Sequence, residues 1–459
     1  MVDYRIEEDT IGPVKIPVTA LWGPQTERSR HNFTTGPKMP LTIIRALLQI
    51  KRAAAMANGE LAQLPVAKGH LIALAINQLL DLDDAELQRD FPLSVYQTGS
   101  GTQTNMNVNE VVAHVAAKLN SELKILANDD VNHGQSSNDV FPTAMNITAS
   151  IAVNALEKTV THLITELKQK QDKYWQVVKI GRTHLQDATP ITFGQEISGW
   201  VSMLEHDQTF LKQLKPTLYE LAIGGTAVGT GLNAAPGFAD KVAEKLSQVY
   251  KLPFTAKTNK FYGLAAHSGL NVVHGALKTL ASDLLKIAND VRFLASGPRA
   301  GYGELTIPAN EPGSSIMPGK VNPTQAEALT MAATRVLGND VTIGLAASQG
   351  NFEMNVYKPV LISTFLESTD LLQGTIQGFT DKLITGLEIR PTRMAELVDR
   401  SLMTVTALSP HIGYHASAKI AQAAEKAGTS LEEAALKSGL VTQQEFNAWV
   451  DPLAMTNLK

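Results

Sequence analysis

Four polar stretches carry residue types that could do chemistry. Residues 98–107, TGSGTQTNMN, set glycines and small hydroxyl residues ahead of a helical pattern. Their N–H groups and hydroxyls could hold a carboxylate at a helix N-terminus, or simply cap the helix. Residues 128–142, NDDVNHGQSSNDVFP, are denser in donors than a turn and cap require. Residues 181–190, GRTHLQDATP, place His184 in a polar turn. Histidine moves protons readily near neutral pH, although a lone histidine is more often structural. Residues 313–327, GSSIMPGKVNPTQAE, gather Ser314, Ser315, Lys320, Asn322 and Glu327 around a Gly/Pro loop.

Three look-alike motifs fail. In a phosphate-binding loop the two glycines stand five positions apart, whereas Gly313 and Gly319 are six apart, and Val321 stands where Ser or Thr is required. Gly229-Thr230-Gly231 imitates a dinucleotide fingerprint without strand–turn–helix context or a suitably placed acid. His411 and His415 are four apart but lack a third ligand, and read as packing or surface residues.

The elements that must position these stretches are helical. Residues 1–40 read as irregular, with room for a short strand pair. Apolar spacing predicts helices within 41–80, broken once, and over 105–126, 143–176, 194–221, 270–296, 323–348 and 357–386. The pattern of 270–296 is clearest, with Val273, Leu277, Leu280, Leu284, Ile287, Val291 and Leu294 at spacings of three and four. Several helices this long imply a bundle, and such helices often pack against copies of themselves. Between two of them, residues 297–323 hold five Gly and five Pro, so no helix survives there. A loop this long is often functional. Asn322 is placed to cap the next helix, Pro323 to open it and Gln325 to complete a capping box. Residues from about 387 read as a small helical tail. No repeat or low-complexity segment is present.

Composition narrows the classes. At 459 residues, two to four domains are expected. A net charge of −4 gives no footprint for nucleic-acid binding. The absence of cysteine excludes disulfides, thiolate nucleophiles, cysteine-ligated zinc and iron–sulfur clusters. The acidic opening MVDYRIEED has no apolar core of a secretory signal, and no run of about 18 apolar residues exists, so a cytoplasmic location is expected.

Together these blocks resemble the fumarase/aspartase superfamily along nearly the whole chain. GSSIMPGKVNP is similar to the superfamily signature. SGTQTNMNVNEV, QSSNDVFPTAM, GRTHLQDATP and GNFEMNVYKPV (350–360) are closest to class II fumarases; aspartases typically differ in the first two. The resemblance implies a mainly α, three-domain fold: 1–133 N-terminal, 134–386 a central long-helix bundle, 387–459 a small C-terminal domain. It implies a homotetramer with a twenty-helix core and active sites built from three subunits, acting on fumarate and L-malate without metal or cofactor, and with no nucleic-acid or membrane partner.

The resemblance also implies residue roles. Ser314 is the base that takes a C3 proton from malate, with Lys320 the nearby cation. His184, oriented by Glu327, works through a water to help the C2 hydroxyl leave. Ser100, Gly101, Thr102, Ser136, Ser137, Asn138, Thr183, Ser315, Lys320, Val321 and Asn322 fall at positions that bind substrate. Relatives often carry His-Pro-Asn-Asp at a second dicarboxylate site. Here the segment is Leu126-Ala127-Asn128-Asp129, so anion binding at Asn128 and Asp129 is expected to be weak or absent. An ammonia-lyase acting on aspartate is the nearest alternative. A non-catalytic protein on the same scaffold is the other, since fold alone does not fix function.

Overall fold

The structure is a computed structural model that describes residues 3–458; residues 1, 2 and 459, the outermost of the stretches read above, lie outside it. In chain order the elements are β1 Tyr4–Asp9, β2 Gly12–Pro17, α1 Pro24–Asn32, α2 Leu41–Glu60, α3 Val66–Leu80, α4 Asp84–Asp90, α5 Thr102–Leu119 and α6 Ser137–Lys173. There follow β3 Val178–Thr183, β4 Gln186–Thr192, α7 Phe193–Leu214, β5 Glu220–Leu221, α8 Phe238–Tyr250, β6 Thr255–Ala256, α9 Lys260–Ala265 and α10 Ser268–Leu294. The chain continues through β7 Leu305–Thr306, α11 Thr324–Ser348, β8 Gly350–Asn351, β9 Met354–Asn355 and α12 Lys358–Phe379. It ends with β10 Glu388–Ile389, α13 Pro391–Arg400, α14 Ser409–Ile412, α15 Tyr414–Ala427, α16 Leu431–Lys437 and α17 Gln443–Trp449.

The fold is mainly α. The strands pair only in twos: β1 with β2, β3 with β4, β5 with β6, β7 with β10, β8 with β9. Two compact units share the chain. One takes Met1–Leu156, Phe210–Lys278 and Arg335–Leu371; the other takes Glu157–Thr209, Thr279–Thr334 and Leu372–Lys459. Every boundary between them falls inside one of the five longest helices, α6, α7, α10, α11 and α12.

Each expected helix is present, differing at its ends for local reasons, while α1, inside the stretch read as irregular, and α4, α8 and α9 were not expected. The seven apolar positions read in α10 are all buried. α6 starts six residues earlier than its apolar pattern, because Ser136 and Asp139 cap it: Ser136 N–H donates to Asp139 Oδ1 at 2.8 Å, and Asn138 N–H to Ser136 Oγ at 3.3 Å. α5 stops at Leu119, short of the expected 126, because Asn120 Oδ1 accepts from the N–H groups of Glu122 and Leu123 and turns the chain. α7 yields to a 3₁₀ turn, Lys215–Leu218, at Pro216, and α12 to a π-helical turn, Thr380–Ile384. The expected cap of α11 is a correction. Pro323, not Asn322, accepts the first helical bond, from Glu327 N–H at 3.0 Å, while Asn322 Nδ2 donates to Gly313 O at 2.6 Å. Residues 297–323 contain no helix, only the two-residue strand β7.

Candidate active site

In the first unit, three helices begin at one place. Ser100, Gly101 and Thr102 open α5; Ser136, Ser137 and Asn138 open α6; Lys358 opens α12. Gly101 has φ +78°, and a Cβ there would stand 2.3 Å from the Phe141 ring, so the turn needs glycine. A Cβ on Gly99 would lie 1.4 Å from Val356 O, and Gly99 O accepts from Lys358 N–H at 3.2 Å. Ser100 Oγ and Thr102 Oγ1 are hydrogen-bonded at 2.8 Å, and Asn105 Nδ2 donates to Ser137 Oγ at 3.2 Å. Three N-terminal dipole ends therefore concentrate positive potential around these hydroxyls.

Two buried lysines stand behind them. Lys51 donates to Asn132 Oδ1 at 2.8 Å and Gln135 Oε1 at 3.0 Å. Asn132 Oδ1 also accepts from Asn105 and Asn109, each at 3.1 Å. Lys358 donates to Asn138 Oδ1 at 2.5 Å. Burial pulls both ammonium groups down to about 7, against the opposing charge of Asp139. Asp139 is itself buried, which raises its carboxyl pKa although Ser136, Gly224 and Thr226 all donate N–H groups to it.

The second unit holds the other candidates. β3 and β4 form a hairpin with Thr183 opposite Gln186, so His184 and Leu185 make a two-residue turn. Both have positive φ, +55° and +61°, a geometry that normally selects Asn-Gly. His184 is exposed at the tip. The hairpin is pinned just below its tip: Arg182 Nη2 donates to the wholly buried Glu304 at 2.5 Å, and its guanidinium lies 4.3 Å over the Tyr302 ring.

The loop over 313–322 closes on itself. Gly313 N–H donates to Lys320 O at 2.9 Å, and Asn322 holds Gly313 O. Inside that turn the half-buried Ser314 presents its Oγ to two N–H donors, Ile316 at 3.2 Å and Met317 at 3.0 Å. Such donors favour an oxygen that carries negative charge. Ser315, Lys320 and Val321 are exposed around it, and Glu327 is half-buried in the first turn of α11. Among the described residues, no hydrogen bond joins His184 to Glu327 or Lys320 to Ser314.

A lyase family profile matches residues 12–338, and a fumarase C C-terminal profile matches residues 405–457. The class II fumarate hydratase of Listeria monocytogenes serotype 4b (strain F2365) is 55% identical, over 99% of this chain and 100% of its own. That of Bacillus subtilis (strain 168) is 52% identical over the full length of both. The chain belongs to the class II fumarate hydratase family. The class II fumarase of Schistosoma mansoni, known from a crystal structure, superposes on it with a TM-score of 0.95 at 41% identity, covering 99% of each chain.

Against the family resemblance drawn from sequence, the structure adds residues and disperses others. Lys51, between Ile50 and Arg52, was not among the residues singled out from sequence, and it is fully buried. Lys358 lies in the fumarase-like stretch 350–360, and Pro142, inside α6, was the available signal that a donor had to come from elsewhere. Asn128 and Asp129 sit exposed on a single π-helical turn, Ala127–Val131; among the described residues no ion pair forms on Asp129, whose carbonyl is hydrogen-bonded to His133 Nδ1 at 3.1 Å, and the neighbouring Asp130 is paired with Lys68 at 2.8 Å. Gly229 and Gly231 lie in an irregular segment ahead of α8, and His411 stacks on Trp449 with centroids 4.0 Å apart.

Proposed function

We propose that this fumarate hydratase family member reversibly adds water to fumarate to give L-malate, with Ser314, Lys320, His184 and Glu327 as its catalytic residues. The full-length likeness to class II fumarate hydratases carries the reaction. The two N–H donors on Ser314 Oγ support its role as base.

In the malate-to-fumarate direction, the Ser314 alkoxide takes a C3 proton. The C–H electrons move into the adjacent carboxylate and make a doubly charged aci-carboxylate. They return to form the C2–C3 double bond as the C–O bond at C2 breaks, and the hydroxyl leaves as water with a proton delivered through His184 and a water molecule. Lys320 and the donors around the helix N-termini offset the extra charge. Ser100, Gly101, Thr102, Ser136, Ser137, Asn138, Thr183, Ser315, Val321 and Asn322 bind the dicarboxylate. Glu327 of one copy orients His184.

The reading includes a homotetramer whose sites draw on three copies, and functional domains over 1–133, 134–386 and 387–459. Exposed apolar side chains on α11, Met331, Val341 and Leu345, support burial against another copy. No described helix is long and apolar enough to cross a membrane; a cytoplasmic enzyme with no nucleic-acid partner fits that. Asn128 and Asp129, where Leu126 replaces the histidine of relatives, bind a second dicarboxylate weakly or not at all. The test is fumarate absorbance on mixing chelator-treated protein with L-malate and, separately, L-aspartate. Fumarate from malate alone is the expected result. Fumarate from aspartate would make the protein an ammonia-lyase, and silence with both would overturn catalysis.

A further inference from the structure

Lys358 meets Asn138 twice. Its ammonium donates to the carboxamide Oδ1 at 2.5 Å and to the backbone carbonyl at 3.3 Å. That carbonyl lacks its helical partner because Pro142, four residues on, has no N–H. The amide's other end is also committed, since Nδ2 donates to Ala227 O at 2.7 Å and Glu353 O at 3.0 Å. With its side-chain donors used inside the protein, and the N–H groups of Ser136, Asn138 and Asp139 bonded within the turn, Asn138 leaves the start of α6 to offer a ligand the Ser137 N–H and the hydroxyls of Ser136 and Ser137.

Lys358 is also poorly placed for stability. It is wholly buried, and it opens α12, where the helix dipole is already positive. Its nearest counter-charge, Asp139, is shared with three N–H donors. A neutral apolar side chain in such a place is often neutral or better for stability. The cation makes sense as a feature of the ligand site.

We infer that Lys358 is a positioning residue for a substrate carboxylate: it locks Asn138 and stands as a buried positive charge behind the N-terminus of α6. The inference rests on the fumarate-hydrating reading and extends the residues of that site. Below pH 7, where the ammonium keeps its proton, the charge is the same before and after the C3 proton is removed, and it holds the carboxylate that takes no part in the electron shift equally in substrate and transition state. Its loss should appear in KM and leave kcat nearly unchanged.

The absence of cysteine gives a clean test. In Lys358→Cys the new thiol is unique. Alkylated in denaturant by 2-bromoethylamine, with bromide leaving, it becomes a thioether of lysine's length bearing an ammonium; 2-bromoethanol gives a neutral counterpart. After refolding, with wild type carried through the same cycle, the aminoethyl form should bring KM for fumarate within about fivefold of wild type. The hydroxyethyl form should refold with the same helical content, keep kcat within about threefold and raise KM by about 30-fold, the scale of one buried charge-assisted hydrogen bond. Equal KM values in the two forms would overturn the inference, as would refolding of the charged form alone, which would make the charge a folding requirement. A wild type that does not hydrate fumarate would instead strike the proposed function. Calorimetric binding of fumarate to the two adducts would then decide the role of Lys358 separately.

Discussion

Arg182 donates to Glu304 at 2.5 Å, and so ties the hairpin that carries His184 to the root of the loop that carries Ser314. Glu304 is completely buried and also faces Lys179 at 3.2 Å. Removing one member of a buried ionic group leaves the others uncompensated, at about 3–5 kcal/mol. Glu304→Leu should therefore lower stability by that amount in denaturant unfolding. It should also speed amide exchange across Val178–Thr192 ahead of the rest of the chain.

His184 occupies a left-handed conformation that costs a non-glycine residue about 1–2 kcal/mol. His184→Gly should leave the folded chain as stable or up to about 1 kcal/mol more stable, after allowing for glycine's greater freedom when unfolded. Turnover should fall by about 10²–10⁴-fold, the usual contribution of a proton-transfer group. His184→Asn, which tolerates the same backbone, should lose turnover equally with little change in KM. A variant that unfolds instead would make the histidine structural.

Ser314→Ala should abolish turnover while fumarate still binds, as measured by calorimetry, with far-ultraviolet circular dichroism unchanged. The Ile316 and Met317 N–H groups then lose their acceptor, but the loop is exposed enough for water to replace it. Near-normal turnover would show that another group takes the proton.

Asp207, 1% exposed on α7, has its pKa pushed up to about 7 by burial, aided by the like charge of Asp283. A carboxyl with a folded value near 7 and an unfolded value near 4 holds its proton more tightly in the folded chain. Its contribution thus weakens as pH rises from 4 to 7, by up to about 4 kcal/mol. Asp207→Asn should flatten the pH dependence of the melting temperature over that range and raise the melting temperature at pH 8. An unchanged profile would mean the carboxyl is not protonated at neutral pH.

Much of this was legible in the sequence because helices announce themselves through spacing. The α10 stripe is buried as read, and the Gly/Pro content of 297–323 kept it free of helix. Helix ends were less legible, since side-chain bonds such as those of Asn120 compete with the periodic signal. Asn322 looked like a cap because its type and place suit one; it is used instead to close the loop on Gly313. The buried lysines were invisible for a deeper reason. Whether a lysine beside apolar residues is buried depends on partners such as Asn132, more than 80 residues away.

The interleaving of the two units bears on synthesis. Leu156 leaves the ribosome long before Arg335–Leu371, the last strip its unit requires, has been made. At about 5–20 residues per second, the wait to Leu371 is roughly 11–43 s, and for part of it α2 lacks α8, one of the helices it packs against. The first unit cannot be finished before Leu371 has been made, and the second waits for the strip that begins at Leu372. The nascent chain must be kept from aggregating nearly to its last codon, so its yield in a cell should depend on chaperone supply more than its final stability suggests.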